Sequence, residues 1–117
     1  MVSEKMQTIE KPWGKEEILE KNPNYVVKRL TMKRGCRCSL QYHEYKTETI
    51  YVISGKLHVS FGKINLVNTI LQKGEFMTIT PNEIHRMNAR NGEVVYLECS
   101  TPQLDDVVRI EDDYKRK

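Results

Sequence analysis

Ser39-Leu40-Gln41-Tyr42-His43-Glu44-Tyr45-Lys46-Thr47-Glu48-Thr49-Ile50-Tyr51-Val52-Ile53-Ser54-Gly55 is the stretch that decides the architecture. Residues 47–54 (TETIYVIS) are rich in β-branched and aromatic side chains, and Gly55 closes the run. That composition fits a pleated, half-buried surface and marks a strand. Ser54-Gly55 predicts a hairpin turn into residues 56–61 (KLHVSF), which alternate apolar and polar. Upstream, residues 25–32 (YVVKRLTM) and 36–43 (CRCSLQYH) predict two strands separated by Lys33-Arg34-Gly35. Downstream, residues 63–72 predict one or two strands, and residues 75–80 (EFMTIT) another, opened by Gly74 and stopped by Pro81-Asn82. Residues 85–90 follow, and Asn91-Gly92 signals a second hairpin into residues 93–100 (EVVYLECS). Short strands at this spacing predict an all-β antiparallel barrel or sandwich.

The rest of the chain is arranged around that barrel. We expect one domain: a loose start (1–9), a leading strand-and-turn segment (10–25), the barrel (26–101) and an acidic C-terminal strap (102–117). Lys11-Pro12-Trp13-Gly14 predicts a turn around the lone tryptophan, with Trp13 plugging one end of the barrel or lying near the mouth of a site. The tail over 104–114 reads as a short helix or an extended strap. Its Asp105, Asp106, Asp112 and Asp113 are expected in solvent or paired with Arg109 and barrel lysines.

Composition excludes several classes. The 117 residues are 38% hydrophobic and 30% charged, too apolar and too β-branched for a disordered chain. A net charge of +3, from 19 basic and 16 acidic residues well mixed, argues against a nucleic-acid partner. No apolar run is long enough to span a membrane. Met1-Val2-Ser3-Glu4-Lys5 has no apolar signal core, so the expected address is the cytoplasm. Cys36, Cys38 and Cys99 are an odd number, which predicts buried or half-buried thiols without a disulfide framework.

One constellation carries chemistry. Gln41 and His43 are two residues apart, so a strand projects both to one face. Glu48 opens the next strand, expected close to His43 across the ladder, and His85 opens another after a second tight turn. Two facing hairpins would aim an amide, a carboxylate and two imidazoles at one point. This nitrogen–oxygen set suits Zn²⁺, Mn²⁺, Fe²⁺, Co²⁺ or Ni²⁺ better than Ca²⁺, and leaves open positions on an octahedral ion. His58 has no partner at a useful spacing and is expected to be structural or exposed.

The run Gly35…Gln41-Tyr42-His43…Glu48…Gly55 and the run Gly74…Thr80-Pro81-Asn82…His85 resemble the two motifs of the cupin superfamily. The resemblance implies a cupin-type antiparallel double-stranded β-helix, a jelly-roll barrel. Gln41 stands where the first motif has a His. Thr80 and Asn82 stand where the second has Pro and Gly, and Asn is the best substitute where φ is positive.

Beyond the motifs, the chain resembles the C-terminal cupin domain of type II mannose-6-phosphate isomerases, a domain often fused to a GDP-mannose pyrophosphorylase. The matching stretches are Lys11-Pro12-Trp13-Gly14, Val27-Lys28-Arg29-Leu30, Ser39-Leu40-Gln41-Tyr42-His43, Glu48, Val52-Ile53-Ser54-Gly55, His85-Arg86-Met87-Asn88, Leu97-Glu98 and residues 105–114 (DDVVRIEDDY). The resemblance implies a role in GDP-mannose biosynthesis. It implies a metal-dependent aldose–ketose isomerase of a sugar phosphate, mannose 6-phosphate and fructose 6-phosphate, working through a metal-stabilised enediolate. Glu48 and Glu98 are the candidate bases. Lys28, Arg29, Lys46 and Arg86 are the candidate cations for phosphate, and Arg86 is a catalytic candidate as well. Arg86 directly follows a ligand, so on a strand it points the other way, and pairing with the acidic tail is its alternative. No glycine-rich nucleotide loop occurs here, so no nucleotidyltransferase activity is expected of these residues.

Tyr45, Lys46 and Thr49 replace a His, an Arg and a His of the family pattern. The proposed ligands are untouched, but the surrounding ring of the pocket is altered. That leaves open a second reading, a non-catalytic or differently catalytic sugar-binding cupin working beside a separate sugar nucleotidyltransferase. A third, a metal-dependent oxygenase, is disfavoured by Gln41. Strand edges are a hazard that pairing manages, so a homodimer is expected.

Overall fold

The computed structural model describes residues 7–116. Among them are eleven strands and no helix: β1 Gln7–Lys11, β2 Gly14–Lys21, β3 Val26–Met32, β4 Leu40–Tyr42, β5 Glu48–Ser54, β6 Leu57–Gly62, β7 Val67–Leu71, β8 Phe76–Ile79, β9 Ile84–Asn88, β10 Val94–Ser100 and β11 Val108–Glu111. They form two antiparallel sheets, ordered β1-β2-β3-β10-β5-β8 and β11-β4-β9-β6-β7. The all-β expectation is met.

Period-2 alternation determines what lies between the sheets. In β3 the inward positions are Val26, Lys28, Leu30 and Met32; in β5 they are Glu48, Ile50 and Val52. β6 contributes Leu57 and Val59, β9 contributes His85 and Met87, and β10 contributes Val94 and Tyr96. The interior therefore has two halves. Trp13, Leu30, Met32, Ile50, Val52, Leu57, Val59, Ile79, Met87, Val94 and Tyr96 pack as one apolar cluster. The inward positions one step further along the same strands carry Lys28, Glu48 and His85 instead. The apolar half supplies the burial that holds the sheets together, at about 25 cal/mol per Å² removed from water. The polar half is a built site rather than a core.

Several local expectations change. The leading segment is a true hairpin over residues 7–21, β1 against β2 (Lys11 opposite Gly14), and β2 pairs in turn with β3. Residues 7–9 belong to β1 rather than to a loose start, and residues 1–6 lie outside the described residues. Trp13 sits in the hairpin turn, packs into the core and also lines the site cavity. Residues 36–43 make only the short β4, with Arg37 bridging Asn88 in isolation.

The two expected hairpins, at Ser54-Gly55 and Asn91-Gly92, are not hairpins. β5 and β6 lie in different sheets, as do β9 and β10, so each turn crosses from one sheet to the other. Gly55 takes φ +83°, and a Cβ there would lie 2.4 Å from the Glu93 carbonyl oxygen. A glycine reports a tight reversal; it does not report which sheet receives the next strand. Asn82 adopts φ +67°, the left-handed conformation expected of it. The tail is the extended strap: β11 pairs with β4 at the edge of the five-stranded sheet.

Candidate metal centre

The same crossing logic assembles the site. β4 lies in the five-stranded sheet and β5 in the six-stranded one, so Glu48 faces His43 from the opposite sheet, not across a ladder. The step from β8 to β9 also crosses between sheets. Both connections run over the same mouth and touch there, the Asn82 N–H donating to the His43 carbonyl at 2.7 Å. Gln41 and His85 are directly opposed on β4 and β9.

His43, Glu48 and His85 meet. One ligand atom from each lies within 4.8 Å of the others, a set that could hold a metal ion. Glu48 Oε1 is 3.1 Å from His85 Nε2 and 3.4 Å from His43 Nε2. All three side chains are 3% exposed or less. The other ring nitrogens are committed: His85 Nδ1 donates to the Glu83 carbonyl at 3.0 Å and His43 Nδ1 to the Asp106 carbonyl. A carbonyl only accepts, so each Nδ1 carries a proton and each ring turns its Nε2 toward Glu48. His43 Nε2, His85 Nε2 and Glu48 Oε2 are buried without a hydrogen-bond partner. Buried nitrogen and oxygen atoms converging on one point are a donor set that a cation would satisfy, and a backbone carbonyl behind each imidazole is the support that metal-ligating histidines have. The residues present fit a divalent ion.

Gln41 lines the same cavity, and its amide oxygen accepts from Ser39 Oγ at 3.2 Å. Its place opposite His85 puts it on the same face of the sheet as that ligand.

Charge is unevenly held here. Burial opposes the charge on Glu48, but hydrogen bonds from the His43 and His85 rings and from Glu98, with the Lys46 ammonium beside them, outweigh it and hold the carboxyl well below its usual range. Glu98 behaves oppositely: burial, reinforced by the Glu48 carboxylate, pushes it up to about 8. Glu98 lies opposite Lys28 in the β3–β10 ladder. Lys28 Nζ stands 3.3 Å from Glu16 and 3.9 Å from Glu98. Lys46 Nζ is 3.5 Å from Glu48. Burial works against the Lys46 ammonium, yet Glu98 and Glu48 raise it above its ordinary value. These side chains line a cavity of about 270 Å³, to which the β1–β2 hairpin and the strap also contribute.

Two of the expected cations are elsewhere. Arg29 occupies an outward position of β3 and forks onto Glu17 at 3.0 and 3.1 Å. Arg86 points away from His85, donating to the Cys38 carbonyl at 3.0 Å and the Glu111 carbonyl at 3.2 Å. It ties the strap to the barrel through backbone oxygens. This excludes Arg29 and Arg86 from the cavity and corrects their expected roles. His58 takes an outward position of β6 and does not line the cavity. Asp105 is exposed as expected, while Asp113, also exposed, forks onto Arg37, Asp112 forks onto Arg116, and Asp106 receives three backbone N–H groups. Arg109 and Arg116 line the cavity and were not among the expected site residues. The recurring DDVVRIEDDY tail was the available signal, but nothing in its composition shows that it returns to the mouth.

Three comparisons bear on identity. The family described as "Mannose-6-phosphate isomerase C-terminal" matches residues 2–112. A xanthan biosynthesis protein, XanB, of Xanthomonas campestris pv. campestris is 32% identical over 91% of this chain and 23% of its own length. A mannose-1-phosphate guanylyltransferase of Salmonella muenchen is 29% identical over 86% of this chain and 22% of its own. The chain thus spans less than a quarter of these relatives. Among solved structures, the capsular polysaccharide assembling protein CapF of Staphylococcus aureus superposes with a TM-score of 0.82 at 19% identity, over 93% of this chain and 35% of that one. An oxalate decarboxylase of Lactobacillus farciminis superposes at 0.77 with 16% identity, over 90% and 33%. At such identities the superpositions establish the cupin fold alone.

Proposed function

The chain belongs to the mannose-6-phosphate isomerase C-terminal family, and on that premise we propose that it is a metal-dependent aldose–ketose isomerase interconverting mannose 6-phosphate and fructose 6-phosphate. One observation carries the reading. Glu98, its side chain 12% exposed, shares a cavity with His43, Glu48 and the two buried lysines Lys28 and Lys46, and burial with the Glu48 carboxylate pushes it up to about 8. A proton carrier with a pKa near working pH is what a 1,2-proton shift needs.

A bound divalent ion would supply Lewis acidity beside the sugar carbonyl. His43, Glu48, His85 and Gln41 would hold it. Glu98, as carboxylate, takes the C2 proton and returns a proton to C1, while the hydroxyl proton passes from O2 to O1. Lys28 holds Glu98 in place across the β3–β10 ladder. Lys46 and Arg109, which both line the cavity, are the cations for the phosphate. A cavity of about 270 Å³ suits a single sugar phosphate better than a nucleotide-linked sugar.

The altered positions support this over the sugar-binding reading. Tyr45 is 71% exposed, and Thr49 points outward to bond Thr78 at 2.9 Å. Of the three replacements only Lys46 reaches the cavity. The test is a coupled assay with mannose 6-phosphate, with and without added divalent metal. Metal-dependent turnover, reduced roughly 10²–10⁴-fold in Glu98→Gln, is expected. Binding of sugar phosphate without turnover under any metal would overturn the isomerase in favour of the binding module.

A further inference from the structure

The segment that joins β4 to β5 carries both a cluster histidine, His43, and the cavity lysine, Lys46. Its backbone N–H groups at Glu44, Tyr45 and Lys46 find no partner in either sheet. All three donate to one side chain: Glu44 N–H to Asp106 Oδ1 at 3.0 Å, Tyr45 and Lys46 N–H to Oδ2 at 2.7 and 2.9 Å. The main-chain carbonyl of the same residue accepts the Nδ1 proton of His43. The docking continues one residue on, where Thr47 and Thr101 exchange bonds at 3.0 and 3.1 Å. Asp106 thus makes four contacts to one connection, and they fix the rotation and tautomer of His43 and the place of Lys46.

We propose that Asp106 is a positioning residue of the metal centre, through which the C-terminal strap holds His43 Nε2 aimed at the ion. The proposal rests on the metal-site reading above. The chemistry requires a carboxylate: three N–H donors meet two acceptor oxygens, and an asparagine would turn its own N–H₂ group against at least one of them. If the connection relaxes, His43 loses the acceptor behind it, and the proton becomes free to move to the nitrogen that must ligate. Loss of such a partner behind a ligating histidine costs about 10–100-fold in metal affinity.

The test compares wild type, Asp106→Asn and Asp106→Ala by competition titration with Zn²⁺, together with ¹⁵N NMR of the histidine rings in the metal-free protein. Asp113→Asn is the control, because it loosens the strap at Arg37 without touching residues 43–46. Expected are a fall of about 10-fold or more in Zn²⁺ affinity for both Asp106 variants, none for Asp113→Asn, and a shift of His43 from the Nδ1–H tautomer to a mixture. Should Asp106→Ala not fold, Asp106→Asn carries the test. Wild-type affinity with an unchanged His43 tautomer in Asp106→Asn would overturn the proposal while leaving the metal site intact. A wild type that binds no Zn²⁺ overturns the metal-site reading instead, and the tautomer shift then still reports whether Asp106 orients the ring.

Discussion

Gln41 and His85 stand directly opposite each other across the β4–β9 ladder, the single register pair those two strands share. An amide and an imidazole are thereby fixed on one inward face, while Glu48 arrives from the facing sheet. The site is a clasp between two sheets, not a feature of one hairpin. Gln41→Leu, which keeps bulk and removes the amide oxygen, is expected to weaken metal binding about 10-fold or less and leave folding intact, since an amide is the weakest donor of the four. Isothermal titration on the variant checks this.

Arg29 and Lys28 are sequence neighbours with opposite fates. Lys28→Ala should disturb catalysis, leaving Glu98 without its cross-strand cation, and is expected to lower kcat. Arg29→Ala should leave kcat and KM unchanged, because the guanidinium faces outward onto Glu17. Such a half-exposed pair contributes about 0–1 kcal/mol of stability. Steady-state kinetics on both variants separates the inward from the outward position.

Gly55→Ala should destabilise the protein by about 1–3 kcal/mol. The residue sits at φ +83°, and the added methyl would meet the Glu93 carbonyl at 2.4 Å, a backbone atom that cannot swing aside. Urea denaturation gives the number. Gly74→Ala is the contrast, with φ +86° and no atom within 4 Å of the new Cβ, so it should cost less.

Burial opposes the charge on Asp112, yet the Arg116 guanidinium and the backbone N–H groups of Arg116 and Tyr114 outweigh it and draw the carboxyl down to about 2. The unfolded value is about 3.9. Between these values the unfolded chain binds more protons than the folded one, so stability falls as pH falls. The contribution is whole above about pH 5 and disappears as pH drops through about 2. Asp112→Asn should therefore be less stable than wild type at pH 7, with the gap closing in acid, as thermal melts at stepped pH would show.

The three cysteines differ in reach. Cys38 is buried, its sulfur accepts the Met87 N–H at 3.2 Å, and burial pushes its thiol up to about 11. Cys99 is exposed. At pH 8, iodoacetamide should label Cys99 in the native protein and reach Cys38 only after denaturation, as peptide mass mapping would reveal.

Much of this was legible in the residues, and the rest failed for a physical reason. Alternation placed the strands, but that Lys28, Glu48 and Glu98 take inward positions, where the core stops and the site begins, appears only once the sheets are paired. Gln41, His43, Glu48 and His85 could be paired with two turns. What spacing could not say is which sheet each turn delivers its strand to: Ser54-Gly55 and Asn91-Gly92 look locally like hairpins and cross between sheets instead. That choice is made by tertiary packing. The same limit hid the strap. Residues 105–114 look acidic and solvated, yet Asp106 spends its carboxylate on three backbone N–H groups sixty or more residues away. Arg86 points away from its neighbour His85 and reaches the tail, as its strand position suggested, but its partners are the backbone carbonyls of Cys38 and Glu111 rather than an acidic side chain, and a carbonyl leaves no mark in a sequence.

The most direct test is metal stoichiometry by elemental analysis after dialysis of the metal-loaded protein, run on wild type, Glu48→Gln and His85→Ala, with circular dichroism confirming the fold of each. The account predicts one divalent ion per chain in wild type and none retained in either variant. Folded variants that keep the full wild-type metal content would contradict it.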